Sequence, residues 1–160
     1  MKITLEDHSD EVLEALESAC QRALEKCGLV GEGYAKKLCP VDTGNLRNSI
    51  THMVSDSEKA AYIGTNSEYA TYVEMGTGVY GPAHTSGYWV YVVGGTSNKS
   101  KHPGKRYTFE EAKRIVAILR KKGLDAHMTD GRKAIPFIKP AVANHAEQYQ
   151  KIIKRELKND

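Results

Sequence analysis

The chain lacks any long apolar run. Nothing in its 160 residues approaches the roughly 18 consecutive apolar residues that a membrane-crossing helix requires. The N-terminal stretch from Met1 to His8 turns acidic at once and holds no apolar segment of the kind that directs secretion. Cysteine is scarce: Cys20, Cys27 and Cys39 are odd in number, fall on one predicted helix and lack zinc half-site spacing. With no secretion signal, a disulfide framework is not expected, and the three read as small hydrophobes on a helix face. No two of the six histidines stand four residues apart, the helical spacing that holds a metal ion. There is no Gly-x-Ser-x-Gly nucleophile elbow. Gly94-Gly95-Thr96-Ser97-Asn98-Lys99-Ser100 has the residue types of a phosphate loop without its spacing, and does not run directly into a helix. No cofactor, metal or catalytic residue is therefore expected.

What is present is an ordinary soluble composition, 40% hydrophobic and 27% charged. At this length about 68–70% of the unfolded surface is buried on folding, enough for a core without metals or crosslinks. Residues 1–160 read as one domain with an insertion. Charge is unevenly spread. Residues 1–40 carry five Lys/Arg against eight Asp/Glu, residues 41–98 two against five, and residues 99–160 sixteen against seven. The basic region 99–133, with Lys99, Lys101, Lys105 and Arg106 at its start, offers candidate nucleic-acid contacts. No groove-reading motif accompanies them, and a polar face near DNA or a neighbouring subunit serves equally.

The pattern predicts α+β architecture. Val12, Leu13, Leu16, Ala19, Cys20, Ala23, Leu24 and Cys27 recur at helical spacing, giving a long amphipathic helix from about Ser9 to Leu38. Gly28, Gly31 and Gly33 weaken its centre, where a kink or short break is expected. Pro40 ends it, and Asp42 or Thr43 is placed to cap a short turn through Asn45 and Leu46. Segments around Ser49–Val54 and Lys59–Gly64 form a predicted hairpin, and Tyr69–Glu74 a short helix or strand. Residues 88–129 read as a strand–helix–strand insertion: Tyr88–Val93, a loop over Gly94–Gly104, a helix opened by the capping box Thr108–Glu111, and a strand over Leu124–Thr129. The crossover is long enough for parallel pairing of its two strands. A last helix follows Pro136 and Pro140, anchored by Phe137. The whole is a long N-terminal helix and a C-terminal helix packed on a small, mainly antiparallel sheet.

Asp42-Thr43-Gly44 is also the tripeptide of aspartic proteases. Those enzymes need two such loops so that two carboxylates share a proton. This chain has one copy, following a helix and a proline rather than lying between apolar strands. A turn after the helix accounts for the same residues without an enzyme.

Three segments at ordered spacing remain: Asp42-Thr43-Gly44-Asn45-Leu46-Arg47, Tyr69-Ala70-Thr71-Tyr72-Val73-Glu74-Met75-Gly76-Thr77, and Pro136-Phe137 with Pro140-Ala141. Together they resemble the head–tail joining or minor tail-component family of long-tailed bacteriophages, the group named after gene product ten of its type phage. Met75 stands where that family usually has an aromatic. The resemblance implies a structural virion protein, not an enzyme, acting in the neck or in tail completion. It implies a ring in the particle, a protein monomeric or weakly associated when free, and other neck, connector or tail proteins as partners, with no membrane involved. It implies location in the virion, and in the host cytoplasm during assembly. Structural or interface roles then fall to Asp42, Thr43, Gly44, Arg47, Glu74, Gly76, Pro136 and Phe137, with Arg47 a candidate partner for Glu74.

Overall fold

The computed structural model describes residues 7–94 and 105–158. The chain divides into two compact units, one formed by residues 1–68 and 136–160, the other by residues 69–135. The fold is mixed α and β, as expected, and the described residues form two two-stranded antiparallel sheets.

The first unit is built on helix α1, Ser9–Leu38, thirty residues or about 45 Å long. Its acidic first turn and basic last turn, Lys36 and Lys37, both complement the helix dipole. It stops where the sequence requires, since Cys39, preceding Pro40, is extended (φ −65°, ψ 128°). The short helix α2, Asn45–Ser49, leads into a hairpin of β1, Ile50–Ser55, and β2, Ala60–Thr65. Its register pairs His52 with Ile63 and Val54 with Ala61, so these side chains share one face. Met53 and Tyr62, paired on the other, are exposed. After the second unit the chain returns as α5, Ile138–Ala143, and α6, Ala146–Glu156. The single C-terminal helix expected from the sequence is therefore two. Pro140 sits in the first turn of α5, where its missing N–H costs no helical bond. Phe137 and Ile50 are the largest fully buried side chains.

The break expected near the glycines of α1 is absent, and the reason lies in packing. The buried residues of α1 are Ala19, Ala23, Gly28, Gly31 and Ala35, all small. A Cβ on Gly28 would lie 2.5 Å from the His52 ring, and one on Gly31 would lie 2.3 Å from Ile63 Cδ1. The glycines are the places where the hairpin comes closest. Gly33, in contrast, has nothing within 4 Å of its absent Cβ.

A charged clamp joins the same two elements. The Glu32 carboxylate accepts from Lys36 Nζ at 2.5 Å and, through its other oxygen, pairs with His52 Nδ1 at 2.5 Å and accepts from the His52 backbone N–H at 3.1 Å. Glu25 reaches the other ring nitrogen of His52 at 3.1 Å. The Lys36 and His52 hydrogen bonds hold Glu32 well below its usual range, at about 2, and Glu32 in turn raises His52. At the far end of α6, Glu156 is buried but paired with Lys26 of α1 at 2.5 Å, which lowers its pKa. Tyr34 stacks on His145 with ring centroids 3.4 Å apart and donates to Gln148, while Tyr149 donates to the Ala141 carbonyl. These contacts fasten α5 and α6 along α1.

The capping expected of Asp42 or Thr43 is corrected. The residue preceding α2 is Gly44, in the left-handed conformation (φ 86°), and no side chain caps the helix. Thr43 Oγ1 lies at the limit of hydrogen bonding, 3.5 Å from the Asn45 N–H, and Asp42 is exposed. The turn is made by glycine's backbone freedom, not by a carboxylate acceptor.

The second unit contains α3, Ala70–Met75, a 3-10 turn over Gly78–Tyr80, β3, Trp89–Val92, α4, Phe109–Lys121, and β4, Ala126–Thr129. The Thr108–Glu111 capping box forms. Gly123 takes the left-handed position after α4, with Leu124 N–H reaching the Leu119 carbonyl and Gly123 N–H that of Arg120, a Schellman stop. Ala112 and Val116 of α4 are buried together with Ala126 of β4.

Parallel pairing of the two strands does not occur: β3 and β4 are antiparallel, Trp89 opposite Thr129 and Val92 opposite Ala126. By Tyr107, which bridges Tyr88, the chain is already back beside the start of β3. Helix α4 then spans the strand's length, so β4 must return against it. Lys99 and Lys101 lie outside the described residues, as does nearly all of the Gly94–Gly104 loop.

Two outcomes test the helix–hairpin packing. Gly33→Ala should gain up to about 1 kcal/mol from helix propensity, whereas Gly28→Ala should destabilise because the His52 ring must leave its carboxylates. Denaturant midpoints of the two variants should move in opposite directions. The clamp also sets a pH profile. Raised His52 stabilises fully below its ordinary 6.5 and loses that contribution as pH rises through its folded value. Lowered Glu32 stabilises above its ordinary 4.5 and loses it as pH falls towards about 2. The wild-type melting temperature should therefore fall from pH 6 to 8 more steeply than that of His52→Gln, and parallel profiles would contradict the clamp.

Candidate assembly interface

In the second unit the segment around Gly76 is locked onto residues 130–135 mainly by backbone hydrogen bonds. Thr77 N–H donates to the Arg132 carbonyl at 2.9 Å and Val79 N–H to that of Asp130 at 3.1 Å. Arg132 N–H donates to Thr77 Oγ1 at 3.0 Å, and Ile135 N–H to the Val73 carbonyl at 2.8 Å. Two glycines permit this crossing. A Cβ on Gly78 (φ 64°) would lie 1.9 Å from the Asp130 carbonyl oxygen, and one on Gly131 would lie 2.1 Å from that of Thr77. Gly76 (φ 78°) is hemmed in the same way by Arg132 and Ala134. Its role as the end of α3 was legible in the sequence, but the partnership of Gly78 with Gly131 was not, because 53 residues separate them.

This crossing forms one side of an open, largely apolar pocket of about 390 Å³, lined by Tyr72, Met75, Gly76, Pro82, Trp89 and Arg106 among others. That volume lies in the range of ligand and side-chain pockets. Its rim is unusually apolar for an exposed surface: Tyr72 is 60% exposed and Met75 47%. The Arg106 guanidinium stacks over the Trp89 ring at 4.0 Å and donates to the Thr85 and Ser86 carbonyls and to Thr85 Oγ1. Arg106, read from the sequence as a candidate phosphate contact, is thus a positively charged wall of the pocket pinned by its neighbours. Lys105 Nζ lies 5.2 Å from the centroid of the Tyr107 ring. Lys133 and Tyr80 form a similar pair.

The other candidate residues are divided between the two units. Asp42, Thr43 and Arg47 are exposed on the first unit, close to α2. Glu74 is half-buried in α3, in the second. Phe137 is fully buried and Pro136 exposed, where the chain re-enters the first unit. Trp89 was missed from the sequence because only its pairing with Arg106 gives it a site.

Residues 3–76 match the family model "Bacteriophage HK97-gp10, putative tail-component". Over that span, somewhat under half of the chain, the sequence is similar to a bacteriophage tail component. It runs from the start of the chain through α1, the hairpin and α3, and ends at the Gly76 turn. Most of the pocket and the Pro136–Ala141 segment lie beyond the match. No curated protein and no solved structure matches the chain.

The glycine crossing gives a graded test. Gly94→Ala meets only the left-handed backbone penalty of about 1–2 kcal/mol, since none of the described residues lies near its absent Cβ. Gly78→Ala adds a backbone clash, typically about 1–3 kcal/mol more. Denaturant unfolding followed by Trp89 emission should rank Gly78→Ala well below Gly94→Ala. Equal stabilities would mean the crossing is looser than described.

Proposed function

We propose that this chain is a structural virion protein that acts in head–tail joining or tail completion of a long-tailed bacteriophage, as one subunit of a ring. The observation that carries the reading is the tail-component match over residues 3–76, which takes in α1, the hairpin and the α3–Gly76 turn. Two physical features support it. The chain presents exposed apolar side chains on both units, including Leu29 and Met53 on the first and Tyr72 and Met75 on the second, as a protein awaiting neighbours would. Its charge is segregated, acidic at the N-terminal end and basic over residues 99–160, which suits heterologous contacts between identical copies.

In this reading the partners are other copies and the neighbouring neck, connector or tail proteins. The protein assembles in the host cytoplasm and ends in the virion. Exposed Asp42, Thr43 and Arg47 of the first unit are interface residues, and half-buried Glu74 of the second is another. Gly44, Gly76, Pro136 and Phe137 hold the backbone that presents them. In free solution the protein is monomeric or weakly associated, and the growing particle templates the ring.

Electron microscopy of a lysate lacking the gene should show separate heads and tails, restored by the wild-type chain supplied in trans. Normal infectious particles in that lysate would overturn the assembly role.

A further inference from the structure

The first turns of α1 carry an apolar stripe that is exposed among the described residues. Val12, Leu13 and Leu16 are 63%, 59% and 49% exposed, whereas Ala19 and Ala23, further along the helix, are buried. Spacings of three and four residues place Leu16 beside both Leu13 and Val12. The stripe is bordered by carboxylates: residues 7–18 contain Asp7, Asp10, Glu11, Glu14 and Glu17 and no Lys or Arg. The second unit has the opposite character. Residues 69–135 contain eleven Lys/Arg against five Asp/Glu, and the pocket by Gly76 is apolar inside with Arg106 in its wall.

We infer that the α1 stripe of one copy docks in the Trp89 pocket of the next. The inference rests on the ring reading and deepens it by naming the two surfaces that meet. The occupant is a second copy of this chain because its stripe matches the pocket in both respects: aliphatic side chains for an apolar, aromatic-walled cavity, and a carboxylate border for the Arg106 guanidinium in its wall. The contact is heterologous, a stripe on one side and a pocket on the other. Each copy therefore keeps one free stripe and one free pocket until the series closes. Three aliphatic side chains and a screened charge match make a weak contact alone, which accords with a protein that does not form rings without a template.

Trp89, the single tryptophan, lies in the pocket wall and reports its occupancy. The test mixes two full-length chains. One carries Val12→Ser, Leu13→Ser and Leu16→Ser, and so keeps the pocket and the tryptophan but has no stripe. The other carries Trp89→Phe, and so is silent but keeps the stripe. Adding the silent chain to the first should shift Trp89 emission saturably, and the shift should weaken several-fold in high salt. A silent chain that also carries the three serines should produce no shift. No response up to about 1 mM silent chain, or an equal response to both silent chains, would overturn the inference. So would emission that differs between wild type and the serine variant at high dilution, because the stripe would then occupy its own chain's pocket. Should the serine variant misfold by circular dichroism, Glu11→Lys with Glu14→Lys replaces it in both chains, and the Trp89→Phe chain carrying the two lysines should produce no shift or one weakened several-fold. Separate heads and tails in the deletion lysate together with no emission shift would remove this contact and leave the assembly role standing.

Discussion

The first unit depends on the close approach of a β-hairpin to a helix stripe that has almost no side chains. Along α1 the inward positions are alanine and glycine, so hairpin and C-terminal helices meet its backbone almost directly. Small residues bury little apolar area of their own. Stability must then come from what approaches them: Ile50, Ile63 and Phe137 as apolar mass, and Glu32, His52 and Lys36 as a directional clamp. The glycines that lower helix propensity are retained because a Cβ at Gly28 or Gly31 would push the hairpin away. Tertiary packing overrides the local preference, and the helix stays unbroken through residues that alone would weaken it.

The second unit uses the same device on extended chain. Gly78 and Gly131 let two backbones cross at a separation no Cβ permits, and the hydrogen bonds of Thr77, Val79 and Arg132 hold the crossing. A rigid backbone there presents Tyr72 and Met75 to solvent and fixes the pocket wall in which Trp89 and Arg106 stack. Exposed apolar side chains on rigid elements lose little conformational freedom on binding, which favours an assembly surface. Arg106, with three hydrogen bonds to its neighbours, contributes charge to that wall without being a loose phosphate-seeking side chain.

Much of the local structure was legible in the sequence. The limits of α1, the hairpin, the Thr108–Glu111 capping box and the Gly123 stop each rest on signals within a few residues: apolar period, a proline, a capping pair, a glycine. Errors arose where a local signal competed with a distant partner. Asp42 has the chemistry of a cap, yet the chain turns on Gly44, whose left-handed backbone serves the same end. The strands β3 and β4 suited a parallel crossover by length, yet the Tyr88–Tyr107 bridge returns the chain before α4 begins. Of the candidate interface, the Gly76 turn could be read from the sequence, while the pocket and its tryptophan could not.

The sequence by itself determined most of the helix and strand stretches, the acidic-to-basic polarity along the chain, and the ordered segments that resemble a phage tail component. These are properties of neighbouring residues or of residue order, and they survive without knowledge of what touches what. Only the tertiary structure decided which face of α1 is covered and which is left apolar and open. It also decided why Gly28 and Gly31 are tolerated, and that Trp89, Arg106 and the Gly78–Gly131 crossing form one surface. Those facts belong to pairs of residues far apart in the chain, whose meeting depends on packing and strand direction, not on any local preference.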